Sequence, residues 1–545
     1  MDPEKQKPDH EELAEEGRQL AHLGNQEEHE IGKLETIKRY PKAIAWALFT
    51  VWTVLLVSFE NQASGNILGI PRFRQDFGYL YNGSYVLYAN WQSAFSGAPL
   101  GSAIVGCLGG GVLADSIGRK RTLMLALVVS YAAITMEIVA TINGIFFGGK
   151  FLNGFATGTI ATTCVSYLGE ISPLAFRGIF TCLVGFSYTL GPLVSALIVN
   201  YTGTNSSRWA YRAVFCSQYG FAAVSTAFIF WMPESPWWLM SKDRSDAALR
   251  SLDNLGYRGD EGRKRLSMMQ QTLEKIKAET QGVTYLECFR TTNLRRTLIS
   301  VAPKCSQAFS GIAFASSYAT YYMQLAGYST ADSFKLQIIQ QVVSLIGSVM
   351  SWYFVDHIGR RKLMLYGMLS LTAILIACGG CATAASNTSA IRATVAFILL
   401  YCWMYNVSIG AVAYTILAEV STSRLRAKTV GIGLALVNGL NMMWNFVLPY
   451  LFNPTYANLG AKVAFIFGGC SVVFLVYLWF ELPETARRTF EELDEMFVKG
   501  IPARKFEAYK PETQTMGETV KGTLEDKTRD DQEFTVPSII VSSTY

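Results

Sequence analysis

The stretch "LADSIGRKRTLML" occupies residues 113–125, and "FVDHIGRRKLML" occupies residues 354–365. Each reads aspartate, two residues, glycine, a basic triplet and an apolar run. The two aspartates, Asp115 and Asp356, stand 241 positions apart. Other phrases recur with them in the same order. "GEISPLAFRG" sets Glu170 seven residues before Arg177, and "AEVSTSRLRAK" sets Glu419 seven residues before Arg426, 249 positions on. "PESPWW" begins at Pro233 and "PET" at Pro483, 250 positions on. Three ordered pairs at nearly constant offset mean that one unit is duplicated, with both copies in the same orientation.

Composition says what kind of unit it is. The 545 residues are 50% hydrophobic and only 16% charged, where a soluble domain carries about 25% charged residues. Apolar runs follow one another at roughly 43–66, 93–114, 122–141, 144–167, 178–200, 212–232, 298–325, 336–355, 363–384, 392–418, 429–451 and 462–482. Each is close to the ~20 residues that cross a bilayer. The fold class is therefore an all-α membrane protein with twelve transmembrane helices in two parallel six-helix repeats. Residues 1–40 are acidic, lack a cleavable apolar leader and read as a disordered cytoplasmic tail. Residues 41–232 form the first bundle, 233–296 a polar cytoplasmic linker with short helices, and 297–482 the second bundle. A cytoplasmic helix over 483–499 and a disordered tail over 500–545 complete the chain.

Orientation follows from the basic residues. Arg119, Lys120 and Arg121, Arg177, Arg360 to Lys362, and Arg424, Arg426 and Lys428 fall in loops on one side. That side reads as the cytoplasm, with both termini, in a multi-pass plasma-membrane protein. The opposite loops carry glycosylation sequons at Asn82, Asn205 and Asn387, which is weak but concordant support.

Several function classes drop out. The net charge of +5 is small and scattered, so nucleic acid is not a partner. The ten cysteines lie mostly inside apolar runs and do not form a secreted disulfide framework. Cys378 and Cys381 make a CxxC without a nearby histidine, which reads as helix packing. No nucleophile, metal cluster or phosphate-binding loop appears, so the reading is no enzyme, no metal and no cofactor.

The doubled phrase has a mechanical reading. Asp115 and Asp356, with Arg119 and Arg360 four residues on, sit at helix ends where they pair with neighbouring termini. Gly118 permits a tight turn between antiparallel spans. The pairs Glu170/Arg177 and Glu419/Arg426 extend this to an inner-face salt-bridge network, able to latch the halves in one state and release them in another. The simpler alternative is that the positive residues only hold the loops inside.

At these residues the chain resembles the sugar porter family of the major facilitator superfamily. The phrases are "GGGVLADSIGRKR", "YLGEISPLAFRG", "PESPWWL", "VDHIGRRK", "AEVSTSRLR" and "LPETARRTFEEL", over about residues 45–497. Within the family it is most similar to fungal α-glucoside (maltose-type) permeases, through "SGIAFASSYATYYMQLAG", "AYTILAEVSTSRLRAKT" and "NMMWNFVLPYLFNPTYANLGAKVAFIFGG". The resemblance implies sugar uptake with protons by alternating access, in a protein acting as a monomer in the lipid bilayer.

The resemblance also suggests a site. Gln307 stands where sugar porters carry a glutamine for sugar hydroxyls. Gln340 matches a glutamine of the maltose-type relatives, and Tyr414 takes the place of a hexose-porter tryptophan. Asn441 and Asn445 lie four apart on one helix face, with Trp444 adjacent. Amides and phenols suit a sugar, although the same side chains also bond helices to one another. Two departures stand out: Gly185 replaces a substrate glutamine of hexose porters, and Gly191-Pro192 replaces a Gly-Gln of the maltose-type relatives. They leave room for a bulkier or less polar compound.

For coupling, Glu60 lies where proton-coupled relatives carry aspartate, and Lys150 where they carry arginine. Counting the helical rise sets Glu60 roughly 25 Å above the cytoplasmic face and Lys150 about 10 Å below the outer one, so the two depths are compatible. A pair that forms and breaks can take up and release a proton; a static salt bridge is the alternative. Glu137, roughly 23 Å up, is a substitute proton site. Besides the proton-coupled sugar importer, the open alternatives are an uncoupled facilitator and a transporter of a non-sugar metabolite; a non-transporting sensor is disfavoured, because such proteins carry long cytoplasmic tails and the tail here is short.

Overall fold

The computed structural model describes residues 33–81, 83–173, 176–280, 284–384, 387–421, 425–452 and 456–486, together with 493, 495–497, 499–506 and 509. Span 1 is Pro41–Asn66, span 2 Ala89–Ile117, span 3 Arg119–Val139, span 4 Asn143–Ile171, span 5 Arg177–Thr202 and span 6 Trp209–Ile229. Span 7 is broken into Thr291–Phe309, a π turn Phe314–Tyr318 and Ala319–Leu325. Span 8 is Thr330–Ile358 and span 9 Arg360–Thr383. Span 10 is broken into Thr388–Val407 and Ile409–Val420. Span 11 is Arg426–Phe452 and span 12 Val463–Glu481.

Nine helices among the described residues are long and apolar enough to cross a membrane by composition alone. Spans 4, 6 and 7 complete the twelve by their place in the bundles. They are the spans whose polar content lowers their hydropathy: Lys150 and Asn153 on span 4, Gln218 on span 6, and Lys304 and Gln307 on span 7 are all buried. Intramembrane polar residues of this kind mark functional sites.

The duplication is visible in the packing. Span 1 packs on spans 4, 5 and 6, and span 3 on spans 4 and 6; span 7 packs on spans 10, 11 and 12, and span 9 on spans 10 and 12. The bundles meet through span 2 against span 11 and span 5 against span 8, which are equivalent pairs under exchange of halves. The linker carries short helices at Pro236–Ser241, Ser245–Leu255 and Asp260–Thr280.

Each terminal tail has described structure. Lys33–Arg39 is a helix inside the stretch expected to be a disordered tail; Arg39 pairs with Glu261 of the linker, which anchors it. The expected helix over 483–499 falls largely outside the described residues; Leu493 and Glu495–Phe497 are helical. Phe506, in the stretch read as the second tail, is buried against Phe497. Residues 511–545 and Asn82 lie outside the described residues.

The repeated phrases build matching corners. Gly118 and Gly359 adopt φ of 100° and 91°, a region that favours glycine. Each lets a carboxylate reach the first amides of the following helix. Glu234 accepts from Arg119 N at 2.8 Å, and Glu484 from Arg360 N at 2.9 Å and Arg361 N at 3.1 Å. An anion at a helix N-terminus meets unsatisfied N–H groups and the positive dipole end. Arg119 reaches Asp115 at 3.2 Å and Glu170 at 2.7 Å, and Arg360 reaches Glu419 at 3.3 Å. Both arginine–glutamate pairs stay within their own bundle. The side chains of Arg177, Asp356 and Arg426, and residue Arg424, lie outside the described residues.

Candidate functional site

Span 1 rises from the basic end and delivers Glu60 beside Lys150 of span 4. Lys150 Nζ donates to Glu60 Oε1 at 2.6 Å, and both side chains are buried. Gln218 of span 6 donates its amide to Glu60 Oε2, also at 2.6 Å. Glu137 of span 3 stands 3.6 Å from the same ammonium and accepts from Asn153 at 3.1 Å. Its second oxygen, Oε2, is buried without a partner. Asn153 also donates to Gln218 at 3.3 Å, which closes the ring of contacts. Two carboxylates therefore share one ammonium, and Lys150 lies 4.6 Å over the ring of Phe215. A buried charge without compensation is costly, so the cluster is neutral only when one carboxylate carries a proton. The Glu60–Lys150 contact is what the family resemblance implies, and the helical rise makes the two depths compatible; Gln218 carries no signal in the sequence beyond being an amide inside an apolar run.

The second bundle places polar groups at its broken helices. Gln307 is the last-but-two residue of the first segment of span 7, and its amide donates to Ile409 O at 2.9 Å and Gly410 O at 3.2 Å, just past the break in span 10. Tyr401 donates to Ser310 O at 2.7 Å, and Gln340 to Ala315 O at 2.6 Å. Carbonyls freed at membrane depth need such partners. Gln340 thus supports the π turn, and its own Oε1 is buried without a partner. Asn445 donates to Asn441 O at 2.9 Å along its own helix. Trp444 packs between Phe309 and Phe467 inside the second bundle.

Lys304 is a residue the sequence reading missed. It lies one turn before Gln307 and is 1% exposed. Its Nζ donates to Gln307 Oε1 at 2.7 Å and sits over the ring of Tyr414, 2.8 Å from the centroid. Tyr414 is 57% exposed although it lies within span 10. It is within electrostatic reach of Tyr188 on span 5, which is also exposed. Each bundle thus carries an exposed phenol on a membrane span. Gly185, one turn before Tyr188, has open space where a side chain would project. Gly191 instead touches span 1: an added Cβ would lie 2.8 Å from Phe59 N.

The end opposite the basic loops is closed. Gln62 donates to Ser316 O, Gln337 donates to Asn66, Arg74 donates to Gln324 at 2.7 Å, and Ser93 donates to Phe446 O at 2.9 Å. Each joins the first bundle to the second. Asn205 and Asn387 are exposed at this end.

Residues 46–497 match the sequence model of the family described as Sugar (and other) transporter. The chain is 29% identical over 517 residues to the general alpha-glucoside permease of Saccharomyces cerevisiae, covering 93% of this chain and 83% of the permease. It is 30% identical over 508 residues to the maltose permease MAL61 of that yeast, covering 91% and 82%. Among solved structures, the inward open conformation of the xylose transporter XylE from E. coli aligns with a TM-score of 0.66 at 20% identity, covering 83% of this chain and 99% of XylE. That likeness concerns the fold.

Proposed function

This chain belongs to the sugar (and other) transporter family, and we propose that it is a secondary active importer that moves a sugar together with protons by alternating access. The relatives named above as α-glucoside and maltose permeases support an α-glucoside or a related sugar as cargo. The observation that carries the mechanism is a far end closed by side chains that join the two bundles, together with exposed phenols on a span of each bundle, Tyr188 and Tyr414. One entrance closed and the other open is what alternating access requires.

Gln307, Gln340, Tyr414, Asn441, Asn445 and Trp444 serve the substrate in two ways on this reading. Gln307 and Tyr414 contact it, and Asn441, half-buried on span 11, offers a further amide. Gln340, Asn445 and Trp444 line the same path on this reading, and Gln340 and Trp444 also pack against the broken span 7. Glu60 and Lys150 couple protons: protonating Glu60 frees Lys150 to turn to Glu137, already 3.6 Å away. Asp115, Arg119, Glu170 and Arg177, with Asp356, Arg360, Glu419 and Arg426, regulate the basic end. We place that end in the cytoplasm of a plasma-membrane protein, with both termini, because its loops are basic. The protein acts as a monomer, since the site lies between the two halves of one chain. The domain limits are 41–232 and 297–482 for the bundles and 233–296 for the linker.

Whole-cell uptake in yeast lacking its own sugar carriers tests the proposal. Labelled maltose, glucose and fructose are offered while external pH is recorded. Accumulation with external alkalinisation is the expected result. Accumulation-free uptake without a pH change would instead mean a facilitator, and no uptake of any of the three by surface-expressed protein would end the reading of a neutral sugar as cargo.

A further inference from the structure

The chain buries two lysines in its membrane spans and treats them differently. Lys150 has carboxylate oxygens at 2.6 and 3.6 Å. Lys304 is equally buried, yet among the described residues it has no carboxylate partner. An ammonium offers three donors, and the contact at 2.7 Å to Gln307 uses one. The ring of Tyr414 supplies a cation–π contact, which is worth about 2 kcal/mol when desolvated. Burying an unpaired cation costs more than that. An ionisable residue kept at this depth marks a cargo pathway, and Lys304 stands between Gln307 and the exposed Tyr414.

We infer that Lys304, Gln307 and Tyr414 form an anion subsite, and that the cargo is a sugar or polyol bearing a carboxylate. The inference rests on the transport reading above and narrows its substrate class. A carboxylate entering beside Tyr414 pairs with the two remaining ammonium donors, and a neutral hydroxyl compensates the charge far less. The charges of the two bundles also balance this way. The Glu60, Glu137 and Lys150 cluster holds one negative charge in excess, and the Lys304 site holds one positive. One proton and one carboxylate neutralise both, so the loaded carrier has no uncompensated buried charge while its halves rock past each other. A neutral sugar leaves Lys304 buried either as an uncompensated cation or as a neutral amine, and only an anion lets it keep its charge. The open space at Gly185 leaves room on the facing bundle for the rest of such a molecule.

The test uses the full chain in lipid nanodiscs and two probes of nearly the same shape, methyl α-D-glucopyranoside and methyl α-D-glucopyranosiduronate. They differ only in a hydroxymethyl against a carboxylate. Binding is followed by titration calorimetry, and folding of each variant by thermal melting. Wild type is expected to bind the uronate about tenfold or more tighter than the neutral glucoside. Lys304→Met should erase that preference, and Lys304→Arg should keep most of it. Equal or tighter binding of the neutral glucoside, or a preference untouched in a folded Lys304→Met, overturns the inference and leaves the sugar reading standing. A folded wild type that binds neither probe overturns both.

Discussion

At the scale of residues, both oxygens of Glu60 are occupied, by Lys150 and Gln218, whereas Glu137 keeps one oxygen without a partner. The two carboxylates are therefore not equivalent. Replacing Glu60 by Gln keeps the shape and removes the charge that Lys150 answers. Uphill accumulation should fall to the passive level, while counterflow exchange of preloaded cargo persists; unchanged accumulation would exclude Glu60 from coupling. Glu137→Gln should also lower accumulation, because it removes the carboxylate that receives Lys150 once Glu60 is protonated and leaves the cluster neutral without a proton. A loss of accumulation in that variant, with Glu60→Gln silent, would move the proton site to Glu137. The Glu60–Lys150 contact was legible in the chain because the resemblance pairs the two positions and the helical rise sets them at compatible depths. Lys304 was not, because it follows Pro303 near the polar start of an apolar run, where a lysine ordinarily reaches back to the interface. Only the packing of span 10 shows that it turns inward beneath Tyr414.

At the scale of elements, the doubled corner makes a quantitative demand. A Cβ on Gly118 would clash with Glu234 Oε2, and its φ of 100° disfavours any other residue. Gly118→Ala should destabilise the protein by about 1–3 kcal/mol through backbone strain and a displaced carboxylate, and thermal melting of the purified variant checks this. Gln340→Leu should cost about 1–3 kcal/mol by leaving Ala315 O unsatisfied, without a change in the affinity of the remaining active fraction; a selective loss of affinity would instead make Gln340 a substrate contact. The corners were legible because a glycine, a basic triplet and a distant Pro-Glu recur at fixed offsets. The breaks in spans 7 and 10 were not, because their freed carbonyls are satisfied by side chains remote in sequence: Tyr401 for Ser310, and Gln340 for Ala315.

At the scale of the whole molecule, closure of the far end depends on spans 1 and 7 approaching backbone to backbone. A Cβ on Gly65 would stand 2.9 Å from Ser317 O. Gly65→Leu should hold that end apart and reduce transport to about a tenth or less, since interfaces of this kind are bistable. A cysteine introduced at Ser316 should then react with an impermeant maleimide from outside the cell, and no gain in labelling would show that closure tolerates the bulk. The twelve helices and their two-fold duplication followed from apolar run lengths and repeated phrases. Which end is closed did not, because both states of such a molecule use the same helices.

The burial of Lys304 also sets an order of events during synthesis. A lysine at the centre of an inserting helix costs about 2.5–3.5 kcal/mol. Lys150 meets its compensation early, because Glu60 and Glu137 precede it in the chain and spans 3 and 4 enter as a hairpin. Lys304 has no carboxylate waiting, and the ring that covers it belongs to Tyr414, 110 residues further on. At about 5–20 residues per second, the ribosome needs on the order of ten seconds to deliver that ring. Span 7 should therefore hold its lysine near the headgroups until the second segment of span 10 arrives, and a chain truncated before Tyr414 should leave a cysteine placed at position 304 open to aqueous maleimide, as the full chain should not.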